Sequence, residues 1–229
     1  MYCIDLTECN GYLRIKESMK NIAVIGATGS AGKEVVRLAL SLNYNVTVVV
    51  RNPARIHPEM NLTIVKGDVM DIESLKEAFM NIDVVISCFG PSNGRKPGNI
   101  MSVGTSNIVR ACEKGGVAHF IFMSGILQTD GSELTWLNRL GIQIIRSFFR
   151  EVYMDKITGE ASIQTSSLDW TIVRAVGLTK SRPTGKYKAG VSIRVSPFKP
   201  MSFEDMALCL LDAVENAAWT RKIINVGKA

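Results

Sequence analysis

The chain is expected to fold as an α/β protein with a doubly wound parallel sheet. Three observations lead there. Five apolar, β-branched runs alternate with helical stretches between Asn21 and Met123, the pattern of a parallel sheet covered on both faces. The first run, Ile22-Ala23-Val24-Ile25, is continuously apolar, as a strand buried on both sides requires. It passes through Gly26, Gly29 and Gly32 into a helical stretch, Lys33 to Leu42, which completes half of a βαβ unit.

Each element follows in order. Gly26 permits a tight turn, Gly29 lets backbone approach a ligand, and Gly32 lets the helix pack close to the strand. The free amides of that helix start suit a diphosphate. The spacing is G-x-x-G-x-x-G, so the strand before and the helix after carry the argument, not the glycines alone. Asn45 to Val50 is the second strand, ending in Arg51-Asn52-Pro53 with Arg55 one turn later. In a Rossmann-like sheet this point lies beside the adenosine ribose. No carboxylate stands there, so Arg51 and Arg55 point to a 2′-phosphate, and NADP is favoured over NAD.

Leu62 to Lys66 is the third strand. Asp68 and Val69 follow it at the expected adenine edge, where Asp68 also suits the turn before a helix spanning Asp71 to Met80. Ile82 to Ser87 is the fourth strand, and Gly90 beyond it lets backbone approach the cofactor. The polar loop Ser92 to Gly98 is expected to rim the site. Ile100 to Lys114 is helical, and Val117 to Met123 is the fifth strand, closed by Ser124. Leu134 to Thr165 is mostly helical, with breaks expected near Gly141 and Gly159. Leu168 to Arg174 is a sixth strand. Ser202 reads as the N-cap of a helix to about Glu215, with Asp205 in the reciprocal position of a capping box. A short strand, Ile223 to Val226, ends the pattern.

Residues 1–18 lack an apolar core and read as an N-terminal extension. Residues 19–229 are expected to form one domain, with residues 175–200 capping a substrate pocket as a small C-terminal lobe. The formal charge of +6 is scattered, without a basic block, which argues against nucleic acid as partner. No apolar run approaches the roughly 20 residues that span a bilayer. The five cysteines form no C-x-x-C pair, as expected of reduced thiols in the cytoplasm. His57 reads as surface and His119 as a sheet-face residue, and no Cys/His cluster has metal-ligand spacing, so no metal is expected. Trp136, Phe148 and Phe149 read as core aromatics before pocket lining.

From Met19 to its end, the chain resembles the atypical short-chain dehydrogenase/reductases, in their NmrA-like, NAD(P)H-binding branch. It is most similar to the biliverdin-IXβ reductase/flavin reductase group. The residues carrying the likeness are G-A-T-G-S-A-G at Gly26 to Gly32, V-V-V-R-N-P at Val48 to Pro53 and G-D-V at Gly67 to Val69. The run S-N-I-V-R-A at Ser106 to Ala111, Ser124, Lys156, Glu160 and L-D-W-T-I-V-R-A at Leu168 to Ala175 complete it. The resemblance implies NADP held by the glycine loop, Thr28, Ser30, Arg51, Arg55, Asp68 and Val69. It also implies Ser124 near the nicotinamide and substrate. The Tyr-x-x-x-Lys pair of better-known members is absent: Tyr153 stands three residues before Lys156, and Val152 occupies the fourth position. Both spacings share a helical face, so Tyr153 and Lys156 stay with Ser124 as catalytic candidates.

The expected function is NADPH-dependent reduction of a small planar acceptor, a flavin or quinone, by a monomer or homodimer. Two alternatives stand beside it: an NADP-sensing regulator without catalysis, and a nucleotide-sugar epimerase or dehydratase.

Overall fold

The computed structural model describes residues 20–90, 98–125, 147, 149–175, 177–196 and 199–229. The extension at residues 1–18, Trp136, Phe148 and most of the 92–98 loop lie outside the described residues. Eight strands form one sheet in the order β3-β2-β1-β4-β5-β6-β10-β8. They are β1 (Asn21–Ile25), β2 (Asn45–Val50), β3 (Leu62–Lys66), β4 (Val84–Ser87), β5 (His119–Gly125), β6 (Asp169–Ala175), β8 (Tyr187–Gly190) and β10 (Lys222–Lys228). All pairings are parallel except β10 with β8 at the far edge. A second, two-stranded sheet pairs β7 (Leu178–Thr179) with β9 (Met201–Ser202).

Helices cover both faces because strand side chains alternate. From β1, Ile22 and Val24 pack into one core, with α1 (Ser30–Ser41) and α5 (Phe203–Glu215). Ala23 and Ile25 pack into the other, under α2 (Ile72–Ala78) and α3 (Ile100–Gly115). Ile163 of α4 (Arg150–Gln164) joins the second core. Every residue of β4 is buried, which accounts for its apolar run Val84-Val85-Ile86.

Helix α4 runs through Gly159, where a break was expected. A Cβ on Gly159 would lie 2.9 Å from the Met101 carbonyl oxygen and 3.1 Å from Thr105 Oγ1. Its glycine therefore serves the contact between α4 and α3, and the helix tolerates it. Asp155 strengthens the same contact. Its carboxylate accepts the Met101 and Ser102 amides of the α3 start at 3.0 and 2.9 Å, and the Ser102 hydroxyl at 2.5 Å. A carboxylate on a helix N-terminus also meets the positive end of the helix dipole.

The capping box expected at α5 is half present. Ser202 Oγ accepts the Asp205 amide at 2.9 Å. The Asp205 carboxylate instead accepts the amides of Thr184 and Gly185 at about 3 Å, fastening the β7–β8 loop to α5. Aspartate is one methylene shorter than the glutamate or glutamine a capping box uses.

Two substitutions test these contacts. Ala at Gly32 places a Cβ 2.2 Å from the Gly26 carbonyl oxygen, so backbone must move. Gly32→Ala is expected to cost about 1–3 kcal/mol, read as a fall of several degrees in Tm by calorimetry. Asp155→Ala, which strips the α3 cap, is expected to cost about 1–2 kcal/mol in chemical denaturation, with Asp155→Asn closer to the parent.

Candidate functional site

The sheet connections diverge from β1, leaving outward to β2 and α1 and crossing over to β4. Open α/β sheets hold ligands beyond the carboxyl ends of the strands at such a point. Gly26 leaves β1 with φ 81°, and its carbonyl accepts the Gly29 amide at 2.9 Å. A Cβ there would sit 2.7 Å from backbone of Cys88 and Phe89, so the exits of β1 and β4 touch. Gly29 is the N-cap of α1 and supplies no side-chain acceptor, leaving the first amides of the helix for a ligand. Thr28 lies in the turn, and Ser30 opens the helix. A groove of about 340 Å³ adjoins that first turn, with Ser30 and Lys33 on one wall and Thr179, Lys180 and Ser181 on the other.

Arg51 follows β2 directly, and a single 3-10 turn, Pro53–Arg55, carries Arg55. Asn52 caps that turn by accepting the Ala54 amide at 3.2 Å. Both arginines are exposed, and neither forms an ion pair among the described residues. Beyond β3, Asp68 Oδ1 accepts the Met70 amide at 3.0 Å, and its carbonyl accepts that of Asp71 at 2.9 Å. Asp68 therefore builds its turn, while Asp71 is the N-cap of α2. Asn107 of α3 donates to the Val69 carbonyl at 3.0 Å and steadies this rim. Gly90, past β4, is exposed, and a Cβ on it would meet nothing within 4 Å.

Ser124 lies at the end of β5, paired in register with Arg174 on β6. Its hydroxyl donates to Glu160 Oε1, on the face of α4 that meets the sheet. Glu160 Oε2 accepts Arg174 Nη2 at 2.6 Å. Glu160 is 2% exposed and Arg174 9%. Removing one member of such a buried pair leaves an uncompensated charge and costs about 3–5 kcal/mol. Lys156 is one helical turn before Glu160 and half-buried. Burial lowers its pKa, with Glu160 and Asp155 opposing. Tyr153 stands a further turn toward the helix start and is also half-buried.

The structure thus gathers Ser124 and Lys156 around Glu160, while the Arg51 and Arg55 end of the site lies three strands away, about 14 Å across the sheet. Sequence reasoning assigned no role to Glu160 and Arg174. The available signal was an arginine directly after the apolar pair Ile172-Val173 in a strand, where a buried charge needs a partner. His119 stands at the opposite, amino end of β5, bonded through Nε2 to Thr171 Oγ1 at 2.9 Å, away from this chemistry. Phe149 is 48% exposed, so it is not a core residue. Among the described residues no helix is long and apolar enough to cross a membrane.

Comparison with known proteins bears on this geometry. The profile of NAD(P)H-binding proteins matches residues 26–217, most of the chain. An uncharacterised chloroplastic protein of Arabidopsis thaliana is 30% identical over 178 residues, covering 72% of this chain. The chain spans 62% of that relative's length. Two solved structures share the fold. One is ChuY, an anaerobillin reductase of Escherichia coli O157:H7, with TM-score 0.76 and 19% identity over 91% of this chain and 97% of the other. The second is a short-chain dehydrogenase/reductase of Veillonella parvula in complex with NADP, with TM-score 0.74 and 19% identity over 91% and 94%. With the glycine turn, the bare α1 start and a matched profile that spans most of its length, the chain belongs to the NAD(P)H-binding family.

Proposed function

We propose that the protein is an NADPH-dependent reductase of a small planar acceptor, of flavin or quinone type, working by direct hydride transfer. One observation carries the reading: the order of groups along the carboxyl edge of the sheet. Asp68 follows β3, Arg51 follows β2, the glycine turn follows β1 and Ser124 ends β5. That order runs adenine, 2′-phosphate, diphosphate, nicotinamide. The Cβ-free turn of Gly26 and Gly32 and the uncapped amides of α1 fit a diphosphate.

Bound NADPH supplies the hydride. The chain's own groups do the rest. Amides after Gly29 hold the diphosphate, with Thr28 and Ser30 beside them. Arg51 and Arg55 clamp the 2′-phosphate by charge-assisted bonds. Ser124 fixes the acceptor near the reacting centre. Lys156 keeps a positive charge close to the site and stabilises negative charge arriving on the acceptor. Tyr153 shares its helical face and is the candidate proton donor. The likeness to an anaerobillin reductase and to an NADP complex supports the same reading. Cys88, Cys112 and Cys209 are free and buried, and burial pushes the Cys88 thiol up to about 12. Inert, unpaired thiols support a cytoplasmic setting.

NADPH oxidation with riboflavin, FMN and quinones tests the proposal, with cofactor binding followed by calorimetry. Binding without turnover across that panel overturns catalysis and leaves a nucleotide sensor. Arg51→Glu is expected to shift the NADPH/NADH affinity ratio towards NADH by about tenfold or more, since a charge-assisted bond is replaced by repulsion. An unchanged ratio refutes the clamp. Lys156 must be protonated to act, and its pKa is lowered from 10.5. Turnover is therefore expected to fall as pH rises, with a midpoint below 10.5, the ordinary lysine value. Lys156→Met is expected to lose that limb and about 10²-fold in kcat.

A further inference from the structure

Between Ala175 and Pro200 stand six of the chain's 27 Lys and Arg residues, and no Asp or Glu. The other 21 cations equal the 21 carboxylates, so this run alone carries the formal +6. No two of the six are adjacent, so the excess reads as scattered until the fold gathers it. Lys180, Arg182, Lys186, Lys188, Arg194 and Lys199 are all exposed, and none forms an ion pair among the described residues. Lys186 leads into β8, and Lys188 lies on it, in register with Gly227 of β10. The chain then folds back over that pair: a Cβ on Gly227 would lie 3.0 Å from Val195. Arg194 therefore joins Lys188 at the far edge of the sheet, where Lys228 stands opposite Tyr187. Helix α5, packed against β8, has its four carboxylates engaged elsewhere. Glu204 pairs with Arg37 and Glu215 with Lys20, both at 2.9 Å. Asp205 holds the Thr184 and Gly185 amides, and Asp212 accepts the Tyr187 hydroxyl.

We propose that this edge is a docking surface for an anionic lipid bilayer. The proposal goes beyond the reductase reading and stands without it. Cytoplasmic leaflets are negatively charged, and each Lys or Arg held near one strengthens binding about fivefold. Four of the six cations are lysines, whose mobile ammonium suits a diffuse layer of headgroups better than a fixed pair of acceptors. A protein partner needs aromatic anchors in an apolar centre, and nucleic-acid bases need exposed rings to stack on. The described aromatic here, Tyr187, is half-buried and bonded to Asp212. Val191, 51% exposed just after β8, sets an apolar tip among the cations. A headgroup layer accepts such a tip, whereas a phosphate backbone gains nothing from it.

The test is co-sedimentation of the full chain with vesicles of phosphatidylcholine alone, and of phosphatidylcholine with phosphatidylserine. Binding is expected only to the second, and is expected to fall as salt rises. Lys186→Gln, Lys188→Gln and Arg194→Gln together are expected to weaken it on the order of 10²-fold. Lys76→Gln, Arg110→Gln and Lys114→Gln together remove the same charge from α2 and α3. That set is expected to weaken binding by less than about twofold, because charges beyond a Debye length of roughly 10 Å are screened. Equal binding to both vesicles, binding to neither, equal losses in the two triple variants, or retention on duplex DNA without vesicle binding overturns the proposal. Should the first triple variant fail to fold, Lys188→Gln decides alone, with an expected loss of about fivefold. NADPH turnover is read separately and bears on the reductase reading alone.

Discussion

Everything at the carboxyl edge depends on how closely helix α1 can approach the end of β1. The Gly26 carbonyl lies where a side chain on Gly32 would have to go, and Gly26 itself is pressed against the exit of β4. These contacts are backbone on backbone, so no rotamer change relieves them. Their effect is to bring a helix start, a strand end and the neighbouring strand's exit into one small volume. Glycine at both positions is the chemical form of that constraint. The adjoining cores then take their shape from it, because Ile22 and Val24 face α1 while Ala23 and Ile25 face away.

The second half of the site is held by a helix pinned at two levels. Asp155 of α4 closes the start of α3, and Glu160, five residues on, reaches Arg174 and Ser124 on the sheet. Gly159 between them lets the two helices meet without a side chain in the way. Lys156 rides on the helix so fixed. Its distance from the strand ends is therefore set by packing and ion pairing, without reliance on a loop. Sites carried on such elements hold their geometry better than sites on loops.

Much of this was legible in the sequence, and the pattern of success has physical causes. β2 and β3 have the limits that their β-branched runs suggest, since turn residues bound both. The glycine turn could be read because its glycines are local to one strand and one helix. Gly159 misled because a glycine's cost to a helix is visible in sequence, whereas its benefit lies on another helix. Asp205 misled for a related reason: its partner, the Thr184–Gly185 backbone, is about twenty residues away along the chain. Glu160 and Arg174 carried the family likeness but no chemistry until β5, β6 and α4 came together. A lone glutamate four residues after a lysine looks like a solvated helix face, and only topology shows it buried.

The way the helices begin has a further consequence. α2 opens on Asp71, α3 on Asp155 and α5 on Ser202, each an oxygen the protein supplies to its own amides. α1 opens on glycine and supplies none. A negatively charged visitor therefore finds those three helix mouths already answered and α1 still open. By stoppering them, the chain keeps those three helix mouths from competing with α1 for the anionic middle of a long, two-ended ligand.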